Sequence, residues 1–256
     1  MNAAPKITYR QYGGKASIAK WIVSHFPEHR VYAEPLCGSA AVLLAKPRSF
    51  IEIINDLDGA IMNLWRTIKS RPKELAALLW ATPYASANWR DLPPPEDIDE
   101  AVLLMAQGVQ FYCGNGNSST WSLDKCPAQH KPKSEVWADW FLRVLPAANR
   151  IRNVVLLEED ALTTIERFYK NGPDHLLYLD PPYLGHEGEY RCRVDYPGMV
   201  RLLNEATAKV VVSEYPTADT MFKSWNRIER ITASRAGTGR HHYRGKTKTE
   251  VLYTNF

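Results

Sequence analysis

Short apolar runs that end in acidic or amide side chains recur along the chain. Val31-Tyr32-Ala33 leads to Glu34, Phe50 to Ile54 leads to Asn55-Asp56, Val154 to Leu157 leads to Glu158-Glu159-Asp160, and Leu176 to Leu179 leads to Asp180. Unbroken apolar runs of this length, rather than alternating ones, predict strands buried on both faces of a parallel sheet. Helical spacing falls between them: Ser39 to Leu44 is small and apolar after a tight turn, and Ile61, Leu64, Trp65 and Ile68 recur on one helix face. Strand and helix in alternation predict an α/β fold. Ligands of open α/β sheets sit outside the carboxyl ends of the strands, so the strand-end acids are expected to gather on one rim.

The texture changes from about residue 77 to residue 150. Pro83, Pro93, Pro94 and Pro95 punctuate it, a helical run from Ile98 to Tyr112 follows, and then a polar segment from Gly114 to Thr120. A second helical pattern, Val136, Trp137, Trp140, Phe141, Val144 and Leu145, is expected to pack this region onto the rest, which makes the two tryptophans core residues. The reading is a main domain of residues 1–76 and 151–256 with a mainly helical insertion at 77–150. Beyond Asp180 the pattern predicts a helix near Tyr196 to Ala208, a strand at Val210 to Val212, a short helix after Pro216, and strands at Ile228 to Thr232 and Val251 to Tyr253.

Composition narrows the class. The 256 residues are 45% hydrophobic and 23% charged, as in a folded globular chain rather than a disordered one. No apolar run reaches a membrane span and the start lacks a signal-peptide core, which predicts a cytoplasmic protein without a membrane partner. Cys37, Cys113, Cys126 and Cys192 are scattered and form no C-x-x-C pair, so neither a zinc site nor a disulfide framework is expected. The net charge of +4 suits a polyanionic partner without requiring one, but Arg235 to Lys248 contains no acid and carries Arg240, Arg244, Lys246 and Lys248 among glycines.

The chemistry concentrates at Asp180-Pro181-Pro182-Tyr183. The exocyclic amine of a nucleobase is conjugated with its ring and is a poor nucleophile. A carboxylate that accepts one amino hydrogen, a carbonyl held by prolines of fixed φ that accepts the other, and an aromatic ring stacked on the base would orient it. The bland alternative is a strand-ending turn, which Asp and Pro favour anyway. Elsewhere, Glu34 and Gly38 frame a strand-to-helix turn where a missing side chain lets backbone approach a ligand, and Asp56 lies about twenty residues on, where an acid commonly holds ribose hydroxyls. This turn lacks the G-x-G-x-x-G pattern of dinucleotide binding.

With these residues in place, the chain resembles the Dam-like, D12-class adenine-specific DNA methyltransferases, including small phage and prophage members. Tyr12-Gly13-Gly14-Lys15 is similar to the family's N-terminal cofactor motif, Glu34-Pro35-Leu36-Cys37-Gly38-Ser39-Ala40-Ala41 to its glycine-loop motif, and Asp180 to Tyr183 to its catalytic motif, in the family's order. The family often has Phe where Leu36 stands and Gly where Ala40 stands.

The resemblance implies a Rossmann-like S-adenosylmethionine-dependent methyltransferase sheet whose insertion is a target-recognition region. It implies S-adenosylmethionine and no metal as cofactor, with Tyr12, Lys15, Glu34, Gly38, Asp56, Asp160 and Asp180 as its contacts. Lys15 would reach the methionine carboxylate and Asp160 the cofactor adenine.

The implied substrate is double-stranded DNA, methylated at adenine N6 on a flipped-out base in the cytoplasm of a bacterium or phage-infected host by a monomer or weak dimer. Positive and stacking groups are needed to offset the unstacking. Candidates are Asn115, Asn117, Trp121, Arg235, Arg240, Arg244, Lys246 and Lys248, with Lys125, Lys131 and Lys133 nearby. An N4-cytosine or RNA adenine methyltransferase shares the amine chemistry. A catalytically silent DNA-binding protein on the same fold would be expected to carry a damaged quartet, and here it is intact.

Overall fold

The computed structural model describes residues 4–10, 13–84, 97–110, 132–184, 192–233 and 247–256. Its strands are β1 (Val31–Glu34), β2 (Ile51–Asn55), β3 (Val155–Leu157), β4 (His175–Leu179), β5 (Lys209–Glu214), β6 (Asn226–Ala233) and β7 (Thr247–Thr254). They form a seven-stranded sheet of order β3-β2-β1-β4-β5-β7-β6. β1 pairs parallel with β2 and β4, and β4 pairs parallel with β5, whereas β7 runs antiparallel between β5 and β6. The chain builds outward from β1 through β2, then returns to β1's other side with β4. That reversal is the topological switch point of a doubly wound, Rossmann-like sheet. The expected α/β class and each predicted strand are borne out, but β3 is not covered on both faces as expected: it is the edge strand, with Val155 exposed and Leu156 and Leu157 half-buried.

The helices are α1 (Ala19–Val23), α2 (Ala41–Ala45), α3 (Gly59–Ser70), α4 (Pro72–Ala81), α5 (Asp97–Gln110), α6 (Lys133–Ala138), α7 (Val144–Ile151), α8 (Ala161–Phe168) and α9 (Tyr196–Asn204). The chain divides into two units, one of residues 1–23, 38–47 and 58–158 and one of residues 24–37, 48–57 and 159–256.

In the first unit α3 packs against α5 and α7. Ile61, Met62, Leu64, Trp65 and Ile68 of α3, Leu104 and Met105 of α5, and Val144, Ala147 and Ile151 of α7 are buried. The single helical pattern read across Val136 to Leu145 is three pieces: α6, a 3-10 turn at Trp140–Arg143, and α7. Pro146 explains the break, because it can donate no backbone bond and is tolerated only within a helix's first turn, where α7 places it. Both tryptophans are core, as expected. Trp137 donates to the Thr82 carbonyl at 2.7 Å and Trp140 to the Thr8 carbonyl at 2.6 Å. α4 starts with Pro72 in its first turn, the position a missing N–H suits.

In the second unit β4 is buried from Leu176 to Leu179 and β5 from Val210 to Glu214. Their continuous apolar runs thus mark strands covered on both faces. Because β1, β2, β4 and β5 are parallel, Glu34, Asn55, Asp180 and Glu214 come to the same edge of the sheet. β7 runs the other way and brings Glu250 there too, since Glu214 is in register with Val251. No helix among the described residues is long and apolar enough to cross a membrane.

Candidate active site

The quartet leaves the end of β4 beside the switch point. Asp180 is half-buried, and Pro181, Pro182 and Tyr183 are buried. The Tyr183 hydroxyl donates to Glu250 Oε2 at 2.8 Å, and its ring meets Tyr215 edge-on with centroids 4.3 Å apart. The phenol of Tyr183 is held well above its usual range by burial first, then by the negative charges of Asp180 and Glu250. It is therefore a neutral ring and hydrogen-bond donor at neutral pH. Tyr178, one strand position before Leu179, is raised in the same way by burial and by Asp180, and it donates to Ser213 Oγ at 3.1 Å.

Glu34 ends β1 almost fully buried and accepts from the Tyr32 hydroxyl at 3.0 Å. Asp56 follows β2 and is buried as well. The Cys37 thiol lies near both: burial pushes it up, and the charges of Asp56 and then Glu34 push it further. The rim therefore collects carboxylates, as the strand-end pattern anticipated.

One strand end departs from that expectation. Glu158 pairs with Arg66, and Glu159 takes Arg167 through two hydrogen bonds of 2.8 and 2.9 Å, so both acids are neutralised by partners instead of lining the rim. Asp160 is exposed and caps α8, accepting from the Leu162 amide at 2.8 Å. Asp58 caps α3, accepting from the Ala60 amide at 3.0 Å.

Asn55 organises this edge, a role the sequence did not disclose. Its Nδ2 donates to the Pro35 and Glu159 carbonyls, each at 2.9 Å, and its Oδ1 accepts the Glu159 amide at 3.0 Å. Its own backbone carbonyl accepts the Cys37 amide at 2.8 Å. One fully buried side chain thus joins the loop after β1 to the residue before Asp160.

In the first unit, the glycine turn has two left-handed residues, Gly38 at φ 44° and Ala40 at φ 44°. The second is a conformation that L side chains adopt at a cost of about 1–2 kcal/mol. Trp65 Nε1 donates to the Gly38 carbonyl at 2.9 Å. Trp65→Phe is expected to lower stability by about 1–3 kcal/mol, because the buried carbonyl loses its donor while the ring volume is largely kept. A urea titration of both proteins checks it. Lys15 is buried, not a surface lysine, and donates to the Gly13 carbonyl at 2.8 Å.

Of the expected nucleic-acid contacts and their basic neighbours, Lys133 and Lys248 fall among the described residues; Lys133 opens α6 and is half-buried. The Lys248 ammonium donates to the Tyr215 hydroxyl at 2.9 Å and lies 5.3 Å from that ring's centroid. Asn115, Asn117, Trp121, Arg235, Arg240, Arg244 and Lys246, with Lys125, Lys131 and the proposed cofactor contact Tyr12, lie outside the described residues. Among the described residues no cluster of three or more His, Cys, Asp or Glu side chains could hold a metal ion.

Residues 12–90 match the D12 class N6 adenine-specific DNA methyltransferase family. The match supports methyltransferase activity and bears out the resemblance read from the glycine-loop and N-terminal motifs; it ends before Asp180. The chain is 22% identical over 275 residues to the Type II methyltransferase M1.LlaDCHI of Lactococcus lactis subsp. cremoris, covering 95% of this chain and 93% of the relative. Among solved structures it is similar to the rRNA methyltransferase AviRa of Streptomyces viridochromogenes, with 14% identity, a TM-score of 0.37, and 93% and 83% of the two chains covered. It is also similar to a precorrin 8w decarboxylase from Methanobacterium thermoautotrophicum, with 11% identity, a TM-score of 0.39, and 94% and 90% covered. At those scores the fold assignment rests on the strand order itself.

Proposed function

We propose that the chain methylates adenine N6 in double-stranded DNA, using S-adenosylmethionine and a base turned out of the duplex. The observation that carries this reading is the quartet at the carboxyl end of β4, beside the switch point, with Tyr183 anchored to Glu250. A rim holding Glu34, Asp56 and Asp180 fits a cofactor that bears a sulfonium, an ammonium and ribose hydroxyls. When bound, that cofactor supplies a methyl group on positive sulfur. Asp180 accepts one hydrogen of the target amine and a carbonyl of the proline pair accepts the other, which favours the tetrahedral nitrogen whose lone pair can react. Tyr183 presents a neutral face for stacking, because burial and the neighbouring carboxylates keep its hydroxyl protonated.

By resemblance, Tyr12, Lys15, Gly38 and Asp160 are further cofactor contacts, and residues 77–150 form the target-recognition region. A basic face formed by Arg235, Arg240, Arg244, Lys246 and Lys248, with Asn115, Asn117 and Trp121, would hold the duplex and offset the unstacking of the flipped base. The same reading places the protein in the cytoplasm. Incubation of unmethylated DNA with methyl-labelled S-adenosylmethionine, followed by nucleoside analysis, is expected to yield N6-methyladenine in a defined sequence context. Label found only in cytosine, in RNA or in protein would overturn it.

A further inference from the structure

Glu214 ends β5 with no exposed surface, and the amine chemistry does not use it. Its Oε1 accepts the Tyr215 amide at 2.7 Å, while its Oε2 accepts the Leu184 amide at 3.3 Å and the Tyr196 hydroxyl. Leu184 is the residue directly after the quartet, and Tyr196 opens α9. We infer that Glu214 is a positioning residue, whose carboxylate anchors the backbone immediately beyond Tyr183 to the end of β5 and so fixes the quartet for transfer. The inference rests on the methyltransferase reading only for its effect on turnover, not for the contact itself.

The chemistry of the three partners demands a carboxylate. Each oxygen receives one backbone N–H, a donor that cannot reverse its role. An amide in place of the carboxyl group must therefore set its NH2 against one of those N–H groups in either orientation. The groups bearing on Glu214 are Asp180 after β4, Tyr196 on α9 and the amides of Leu184 and Tyr215. Burial pushes its carboxyl group up to about 7, against the lowering effect of the three donors, and the charge of Asp180 adds to the rise. Ionisation near neutrality is thus coupled to the anchoring contact.

Two measurements on the intact chain test this. In protein labelled with 15N-leucine, the Leu184 amide proton should shift with pH through a midpoint near 7, and Glu214→Gln should abolish that titration. This readout needs no methyl acceptor, so it stands whichever base is modified. In turnover, the wild type should show kcat rising with pH through the same midpoint. Glu214→Gln should lose that limb and lower kcat by about 10–100-fold, with the cofactor Kd within about threefold. Tyr196→Phe, which keeps both backbone bonds, should retain the limb, moved to higher pH by loss of a donor. A Leu184 amide resonance left unmoved by Glu214→Gln, or a kcat that the substitution leaves unchanged, would overturn the inference.

Discussion

Asp180→Ala is expected to reduce methyl transfer by at least about 10²–10³-fold while S-adenosylmethionine binding stays measurable. The size follows from what removal of a single preorganised hydrogen-bonding group at the reacting centre generally costs. Here the proposed acceptor of an amino hydrogen is lost, and the conjugated amine relaxes toward its unreactive planar form. Asp180→Asn should retain more activity than the alanine variant, since an amide oxygen can still accept that hydrogen, although without charge. The side chain is half-buried at a strand end whose β4 core is untouched, so the unfolding midpoint should move little. Single-turnover transfer and equilibrium binding of the cofactor, measured on the same preparations, separate the two effects. Undiminished turnover in Asp180→Ala would remove the residue from its role.

Asn55→Ala should produce the largest stability loss of any single change at the rim, about 2–4 kcal/mol. The truncation leaves the Pro35 carbonyl and both backbone groups of Glu159 without the partners they have now. Buried polar groups stripped of their partners keep the desolvation cost and lose the compensation, which is worse than never having paired them. Asn55→Asp tests the same account with almost no change of shape. A carboxylate could still accept the Glu159 amide, but its second oxygen would face two carbonyl oxygens, so a loss comparable to that of alanine is expected. Urea unfolding checks both, with a shifted midpoint and unchanged slope marking a true stability effect. Because Asn55 joins the loop after β1 to the residue before Asp160, weaker S-adenosylmethionine binding should accompany the lost stability.

The sheet and the quartet were legible in the chain because each is a local pattern. Leu176 to Leu179 is apolar without interruption since β4 is covered on both faces, and the acid that follows can only lie at the strand's carboxyl end. The same locality misled at residues 136–145, where helical spacing continued past the point at which Pro146 requires a new helix to begin. It also misled at Glu158 and Glu159, whose acidity suggested the rim until Arg66 and Arg167 were found beside them.

What the sequence by itself determined is thus an alternating α/β chain, a parallel sheet with polar strand ends, and an Asp-Pro-Pro-Tyr quartet after one of them. The supports of that quartet were decided only by tertiary structure. Glu250 stands 67 residues from Tyr183, and Glu214 stands 30 from Leu184. Nothing local in either segment marks them, for each reads as an ordinary polar residue in a strand. They reach the quartet because β5 lies beside β4 and β7 pairs antiparallel with β5, which brings the start of one strand to the end of the other. Side-chain identity supplied the chemistry, whereas strand register determined which carboxylates brace the quartet.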